Sequence, residues 1–143
     1  MTDLLLHNAR LLDPARARDE TGFITIADGT IIAVGAGAPP AELVAAAART
    51  YDCAGACLAP GLVDMRVRSA DPGAEHLEDL STLLRAAASG GITSVVALPD
   101  ASPVIDDASM IDSLTLRATR INGARLFLYL SLIHISEPTR PLY

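Results

Sequence analysis

Residues 59–73 read APGLVDMRVRSADPG and predict one strand between two turns. Leu62–Val67 is short and largely apolar, which is typical of a buried strand. Pro60-Gly61 precedes this strand and Asp71-Pro72-Gly73 follows it, and both combinations favour turns. We therefore expect a buried strand whose carboxyl end leads into a loop.

The sequence after this loop alternates between helical and strand patterns. Apolar residues recur at three- and four-residue steps from Leu77 to Ala88, and Gly90-Gly91 ends that helix. Ile92–Leu98 is a nearly continuous apolar strand, Asp107 is expected to cap a second helix, and Arg125–Tyr129 predicts a third strand. This order predicts a parallel α/β unit, which fits either a TIM barrel or a doubly wound sheet.

The sequence before this region predicts a small β layer. Strands are expected at Leu4–Leu12, Phe23–Ile26 and Thr30–Gly35, and Asp28-Gly29 predicts a hairpin between the last two. Ala41–Arg49 is expected to form one short, alanine-rich helix.

Composition excludes several classes of function. The 143 residues carry a net charge of −6, with eleven Arg and no Lys, which disfavours binding to nucleic acid or to an anionic membrane surface. No run approaches the roughly 20 apolar residues of a membrane span, and no signal-peptide pattern is present. We expect a cytoplasmic protein. Cys53 and Cys57 have no further Cys or His at ligand spacing, so a structural zinc site is not expected.

The frame of residues 59–73 resembles the first barrel strand of dihydroorotases, in the amidohydrolase superfamily. The family pattern is P-G-[LFIV]-[VI]-D-x-H-x-H-L-R-[ED]-P-G, in which the two His bind the catalytic zinc. Pro60-Gly61, Asp64 and Asp71-Pro72-Gly73 match this pattern. The two His positions hold Arg66 and Arg68 instead.

The resemblance covers about residues 4–129 and implies an α/β fold. It implies a partial TIM barrel over residues 60–129, with the first three β strands and two helices, preceded by part of a small β-sandwich over residues 1–59. Residues 130–143 match nothing expected after the third strand, and residues 130–140 resemble a translated sequencing adapter. We expect this tail to be non-native and exclude it from reasoning about the fold.

The resemblance also implies what the site has lost. A guanidinium group stays protonated and offers no lone pair, so we expect no metal at Arg66 and Arg68, where active members hold zinc. The family's substrate-binding Arg is replaced by Ala70, and its substrate-binding Asn by Asp100, which would repel a substrate carboxylate. We therefore expect no catalytic residue and no cofactor in this fragment.

Two roles remain open for the arginine pair. Arg66 and Arg68 would either neutralise carboxylates, with Asp64, Asp71 and Asp100 as candidates, or bind an anion. We expect the first role, in a buried cluster.

Three functions remain open. The first is a non-catalytic dihydroorotase-like protein of pyrimidine biosynthesis, a structural partner of aspartate carbamoyltransferase and part of a hetero- or homo-oligomer at full length. The second is an active zinc dihydroorotase or related cyclic amidohydrolase, which would hydrolyse the ring amide with ligands from later strands. The third is a truncated reading frame without function. The absence of Lys excludes a carboxylated-lysine metal bridge within these residues.

Overall fold

The chain divides into two compact units in the computed structural model, which describes residues 2–131. The first unit comprises Met1–Pro60 and the second begins at Gly61. Most of the expected non-native tail lies outside the described residues. Of its first two residues, Leu130 is exposed, and the Ser131 N–H donates to the Ile105 carbonyl at 2.9 Å.

The first unit is built on one mixed sheet. Its strands and helix are β1 (Thr2–Asp13), β2 (Arg18–Ala27), β3 (Thr30–Ala36), α1 (Ala41–Ala46), β4 (Ala47–Asp52) and β5 (Cys57–Leu58), with a 3-10 turn at Pro14–Arg16. The sheet order is β3-β2-β1-β4, and β5 also pairs with β1. Ala9, Leu11 and Ile24 form its buried core.

The predicted hairpin is confirmed and the predicted helix is too long. Asp28 and Gly29 both have positive φ angles, of 48° and 69°, as a two-residue turn between antiparallel strands requires. The helix expected over Ala41–Arg49 ends at Ala46, because the chain from Ala47 onward pairs in parallel with β1. Hydrogen bonding to a neighbouring strand outweighs the weak preference of a short alanine-rich segment for helix.

The second unit confirms the predicted parallel order of strands and helices. Its elements are β6 (Leu62–Val67), α2 (Leu80–Ser89), β7 (Ile92–Ala97), α3 (Ala108–Ala118) and β8 (Arg125–Leu128). The sheet order is β6-β7-β8, with both pairs parallel. Leu80 and Leu84 of α2 pack against Val95 of β7 and against Ala124 in the main core cluster of this unit.

Two expectations of burial are wrong. Leu62, Val63 and Met65 of β6 are 62%, 59% and 63% exposed, so β6 is not a buried strand. It lies at the edge of the described sheet, and Val67 is the β6 residue that packs against the α2 cluster. Leu77, expected on the inner face of the helix, is 75% exposed because the helix begins only at Leu80.

Aspartates begin both helices of the second unit. Asp79 Oδ1 accepts a hydrogen bond from the Thr82 N–H at 2.7 Å, and Asp107 Oδ1 accepts one from the Met110 N–H at 2.9 Å. Asp107 is therefore the N-cap that the sequence predicts. These hydrogen bonds satisfy backbone groups that a helix leaves without internal partners.

Truncating Leu84 should destabilise the second unit, because its side chain is fully buried in the α2 cluster. We expect Leu84→Ala to lower the free energy of unfolding by about 2–5 kcal/mol. Leu116→Ala, at a residue 57% exposed on α3, is the matched control and should change it by less than about 0.5 kcal/mol. Hydrogen exchange at the Val95 amide measures both values, and equal losses would contradict this packing.

Acid should weaken the start of α2 through Asp79. The Thr82 N–H stabilises the carboxylate and holds the pKa of Asp79 below its ordinary value of 3.8. Its contribution to stability is therefore complete above that ordinary value and is lost as the pH falls through the lower folded value.

The test compares two substitutions at the same cap. Asp79→Asn should keep the cap and lose this part of the acid dependence, whereas Asp79→Ala should destabilise α2 at every pH. Urea denaturation at a series of pH values between about 5 and 2 covers this titration. Identical acid dependence in Asp79→Asn and the unmodified chain would show that the cap does not titrate.

Candidate functional site

The carboxyl end of β6 contains a bulge at the positions of interest. Asp64 lies opposite Val95 and Val67 lies opposite Ala97, so β6 has one more residue than β7 between these pairs. The Asp64 Oδ1 atom accepts a hydrogen bond from the Arg66 N–H at 3.0 Å. Asp64 thus contacts the backbone of Arg66 and satisfies an N–H group at the bulge.

Arg66 and Arg68 flank Val67 at the carboxyl end of β6. Val67, between them, packs against the cluster formed by α2 and β7. The bulge interrupts the alternation of side chains between the two faces of the strand, and neither arginine joins this cluster. Both are exposed, not buried as the sequence suggested.

Arg68 forms an ion pair with Asp100, which follows β7. The Arg68 Nε atom lies 2.9 Å from Asp100 Oδ2, and the two side chains are 84% and 40% exposed. The structure therefore brings together a position that the resemblance assigns to metal binding and one that it assigns to substrate binding. Asp100 was one of the expected carboxylate partners, but the pair is exposed and not part of a buried cluster.

Asp71 is the buried carboxylate of this region, and its partner is not Arg66 or Arg68. Its side chain has no exposed surface, and both of its oxygens accept hydrogen bonds from Arg117 of α3, one of them at 2.9 Å from Nη1. Asp71 Oδ2 also accepts from the Leu80 N–H at 3.2 Å. Arg117, in the last turn of α3, reaches the Asp71 carboxylate, whereas Arg66 and Arg68 are exposed.

The sequence analysis did not identify Arg117, although its spacing carried a signal. It follows Met110 by seven residues and Leu114 by three, which places it along the inward side of α3. A cation on the apolar side of a helix indicates a buried anionic partner. The Asp71 carboxylate holds the pKa of the Arg117 guanidinium above its ordinary value.

The Ala70 backbone takes part in a turn, and its side chain carries no charge. Its carbonyl accepts a hydrogen bond from the Ala74 N–H at 2.7 Å, and its side chain is a half-buried methyl group. The Asp100 carboxylate is paired with Arg68. Neither position offers the neutral or cationic donor that would hold a carboxylate, so the two positions do not form an anion clamp.

The donors of this region do not fit a zinc ion. Arg66 and Arg68 have no lone pair for a metal, and their charge repels a dication. Within residues 2–131, no three His, Cys, Asp or Glu side chains lie close enough to hold a metal ion. Arg66 forms no side-chain ion pair with any residue in that range. The arrangement supplies fixed positive charge, and no chemical step through a metal can be assigned to it.

Known proteins with similar sequences are dihydroorotases. The chain is 40% identical to a dihydroorotase of Citrifermentans bemidjiense over 108 residues, which cover 76% of this chain and 24% of that protein. It is 36% identical to a dihydroorotase of Syntrophotalea carbinolica over 124 residues, 87% of this chain and 28% of that one. A dihydroorotase of Streptococcus pneumoniae is 36% identical over 117 residues, 82% of this chain and 26% of that one. No protein-family model matches the chain.

Two solved structures share the fold of this chain. An L-hydantoinase (dihydropyrimidinase) from Arthrobacter aurescens superposes with a TM-score of 0.73 at 26% identity, covering 91% of this chain and 28% of that one. The chain is a dihydroorotase-like member of the amidohydrolase superfamily. An N-acyl-D-glutamate deacylase from Bordetella bronchiseptica, solved with zinc and a phosphonate inhibitor, shares the fold with a TM-score of 0.64 at 19% identity.

The similarity indicates which part of the amidohydrolase fold each unit of this dihydroorotase-like chain corresponds to. The second unit is the beginning of a TIM barrel, and the sheet of the first unit is part of the accompanying β-sandwich. The chain spans about a quarter of the length of the curated relatives it matches. Among the described residues, no helix is both long and apolar enough to cross a membrane.

Breaking the Arg68–Asp100 pair should have little effect on stability, because both side chains are largely solvated. We expect Arg68→Gln and Asp100→Asn each to change the free energy of unfolding by less than about 1 kcal/mol. Arg66→Gln is the control, since it removes the same charge without breaking an ion pair of the described residues. Hydrogen exchange at the Leu98 amide, at low and high salt, measures the effect. A loss above about 2 kcal/mol that salt does not reduce would indicate a buried pair.

Proposed function

We propose that the full-length protein is a non-catalytic dihydroorotase-like protein of pyrimidine biosynthesis. In this proposal it acts in the cytoplasm as a structural partner of aspartate carbamoyltransferase, in a hetero- or homo-oligomer. It binds no zinc at the first barrel strand and does not hydrolyse dihydroorotate.

The observation that carries the proposal is the pair of guanidinium groups at positions 66 and 68. In the family, this strand supplies two imidazoles to the catalytic zinc. A zinc hydrolase uses its metal to lower the pKa of a bound water and to polarise the amide carbonyl. Arginine at both positions removes two ligands and adds two positive charges, and both changes oppose binding of a dication.

The substrate positions support the same proposal. Ala70 replaces the family's arginine, and Asp100 replaces its asparagine and pairs with Arg68. A dihydroorotate carboxylate placed there would meet a carboxylate where the family has a hydrogen-bond donor. Metal ligands and substrate ligands are altered together. This favours a protein that is no longer required to catalyse the reaction over one that has a single chance substitution.

The proposed partner, aspartate carbamoyltransferase, is suggested by the kind of dihydroorotase-like protein that this chain resembles. Dihydroorotase-like proteins with altered ligand positions resemble the non-catalytic homologues that associate with aspartate carbamoyltransferase. In that arrangement, a separate dihydroorotase performs the hydrolysis and the non-catalytic chain supports assembly of the transferase.

An active enzyme is the second candidate, and the identity to proteins named dihydroorotase favours it. The aligned stretches are 108 to 122 residues long at 35% to 40% identity and include residues of both units. In this alternative, a zinc ion is held by ligands from later barrel strands. A truncated reading frame without function is the third candidate, and the adapter-like residues 130–140 favour it.

The test needs the uninterrupted reading frame from the source DNA. The purified full-length protein is analysed for zinc, for opening and closing of the dihydroorotate ring, and for co-elution with aspartate carbamoyltransferase expressed beside it. The dihydroorotase of Citrifermentans bemidjiense, prepared in the same way, is the positive control for metal and activity.

We expect no stoichiometric zinc, no turnover above background, and co-elution with the transferase. Stoichiometric zinc with turnover would establish the enzyme and overturn the proposal. Absence of zinc, turnover and co-elution would overturn the assigned partner. A source reading frame that stops within these residues would establish the third candidate.

A further inference from the structure

Asp71 is a buried carboxylate three residues after Arg68. Its side chain has no exposed surface. A buried carboxylate without a counter-charge is strongly destabilising, whereas one with a bidentate arginine and a further N–H donor has its oxygens satisfied. Asp71 has both, through the two Arg117 nitrogens and the Leu80 N–H.

These partners belong to two different helices. Leu80 is the first residue of α2, and Arg117 lies in the last turn of α3. One carboxylate therefore joins the start of one helix to the end of the next. It also lies in the loop that connects β6 to α2, so the loop is held to both helices at a single point.

The residues beside Asp71 join the same loop to the segment after β7. The Ser102 N–H donates to the Pro72 carbonyl at 3.3 Å. Gly73 approaches Ser102 so closely that an added Cβ would lie 1.7 Å from the Ser102 carbonyl oxygen. Ser69, on the other side of Asp71, donates its hydroxyl to the Asp71 carbonyl at 2.7 Å.

We propose that the Asp71–Arg117 ion pair is a positioning device that fixes the loop after β6 and, through it, the end of the strand that carries Arg66 and Arg68. The loop is held by groups of the protein itself, the Arg117 guanidinium of α3 and the Leu80 N–H of α2, and not by any group bound at positions 66 and 68. This proposal is independent of the proposed function, since it concerns only the described residues of this chain.

The test compares three substitutions in the 143-residue chain. Arg117→Met removes the counter-charge and keeps the length of the side chain. Asp71→Asn combined with Arg117→Met removes both charges. Arg85→Met, at an exposed arginine of α2 that forms no ion pair among the described residues, is the control for loss of positive charge.

Hydrogen exchange, followed residue by residue, is the measurement. Amides of residues 69–80 report on the loop, the Leu126 amide reports on β8, and the Leu5 amide reports on the first unit. We expect Arg117→Met to accelerate exchange in the loop by about 100-fold or more, because it leaves a buried charge without its partner. The Leu5 amide should not change, and Arg85→Met should leave the loop within about threefold of the unmodified chain.

The double substitution distinguishes an ion pair from simple packing. A neutral amide side chain at position 71 needs no counter-charge, so Asp71→Asn with Arg117→Met should exchange at least about tenfold more slowly in the loop than Arg117→Met alone. If Arg117→Met fails to fold, the double variant should still fold. Three results would each overturn the proposal. The first is a loop that is unprotected in the unmodified chain, and the second is an equal effect of Arg117→Met and Arg85→Met. The third is a double variant whose loop is less protected than that of Arg117→Met alone.

Discussion

A buried carboxylate needs an opposite charge close to it. In this chain that requirement brings distant parts of the second unit into contact. Asp71 has no exposed surface, and it is balanced by Arg117. The residues are 46 positions apart in the sequence. Their contact brings the end of α3 to the loop after β6, where the first residue of α2 also donates to Asp71. The strand-helix-strand-helix order therefore becomes one packed body partly through a single ion pair, in addition to its apolar core.

The features that the sequence predicted well are local. Asp28-Gly29 can adopt the two positive φ angles of its turn, and Asp107 can cap the helix that begins at the next residue. Such signals depend on neighbours within about four residues, so the sequence contains all of the information. The parallel order of β6, β7 and β8 follows from the same kind of reasoning, because strands separated by helices need crossover connections.

The features that the sequence did not predict depend on distant partners. Ala47 begins a strand and not a helical turn, because it lies beside Thr2 of β1. Leu62 and Met65 of the edge strand β6 are exposed because the described residues do not cover their side chains, which an apolar pattern alone does not reveal. For the site, the positions of Arg66, Arg68 and Asp100 were available from the family pattern, whereas the pairing of Asp71 with Arg117 required the fold.

The residues that hold the backbone of the site are different from the residues that would determine its chemistry. Asp71-Pro72-Gly73 forms a turn that contacts α2, α3 and Ser102, and Gly61 lies close to Thr93 of β7. Arg66 and Arg68 are exposed, and the one ion pair they form among the described residues is solvated. Exposed substitutions of this kind have small effects on stability, whereas changes to buried charges and turn glycines have large ones. Guanidinium groups at positions 66 and 68 are therefore compatible with this fold, because the interactions that hold the loop do not pass through those side chains.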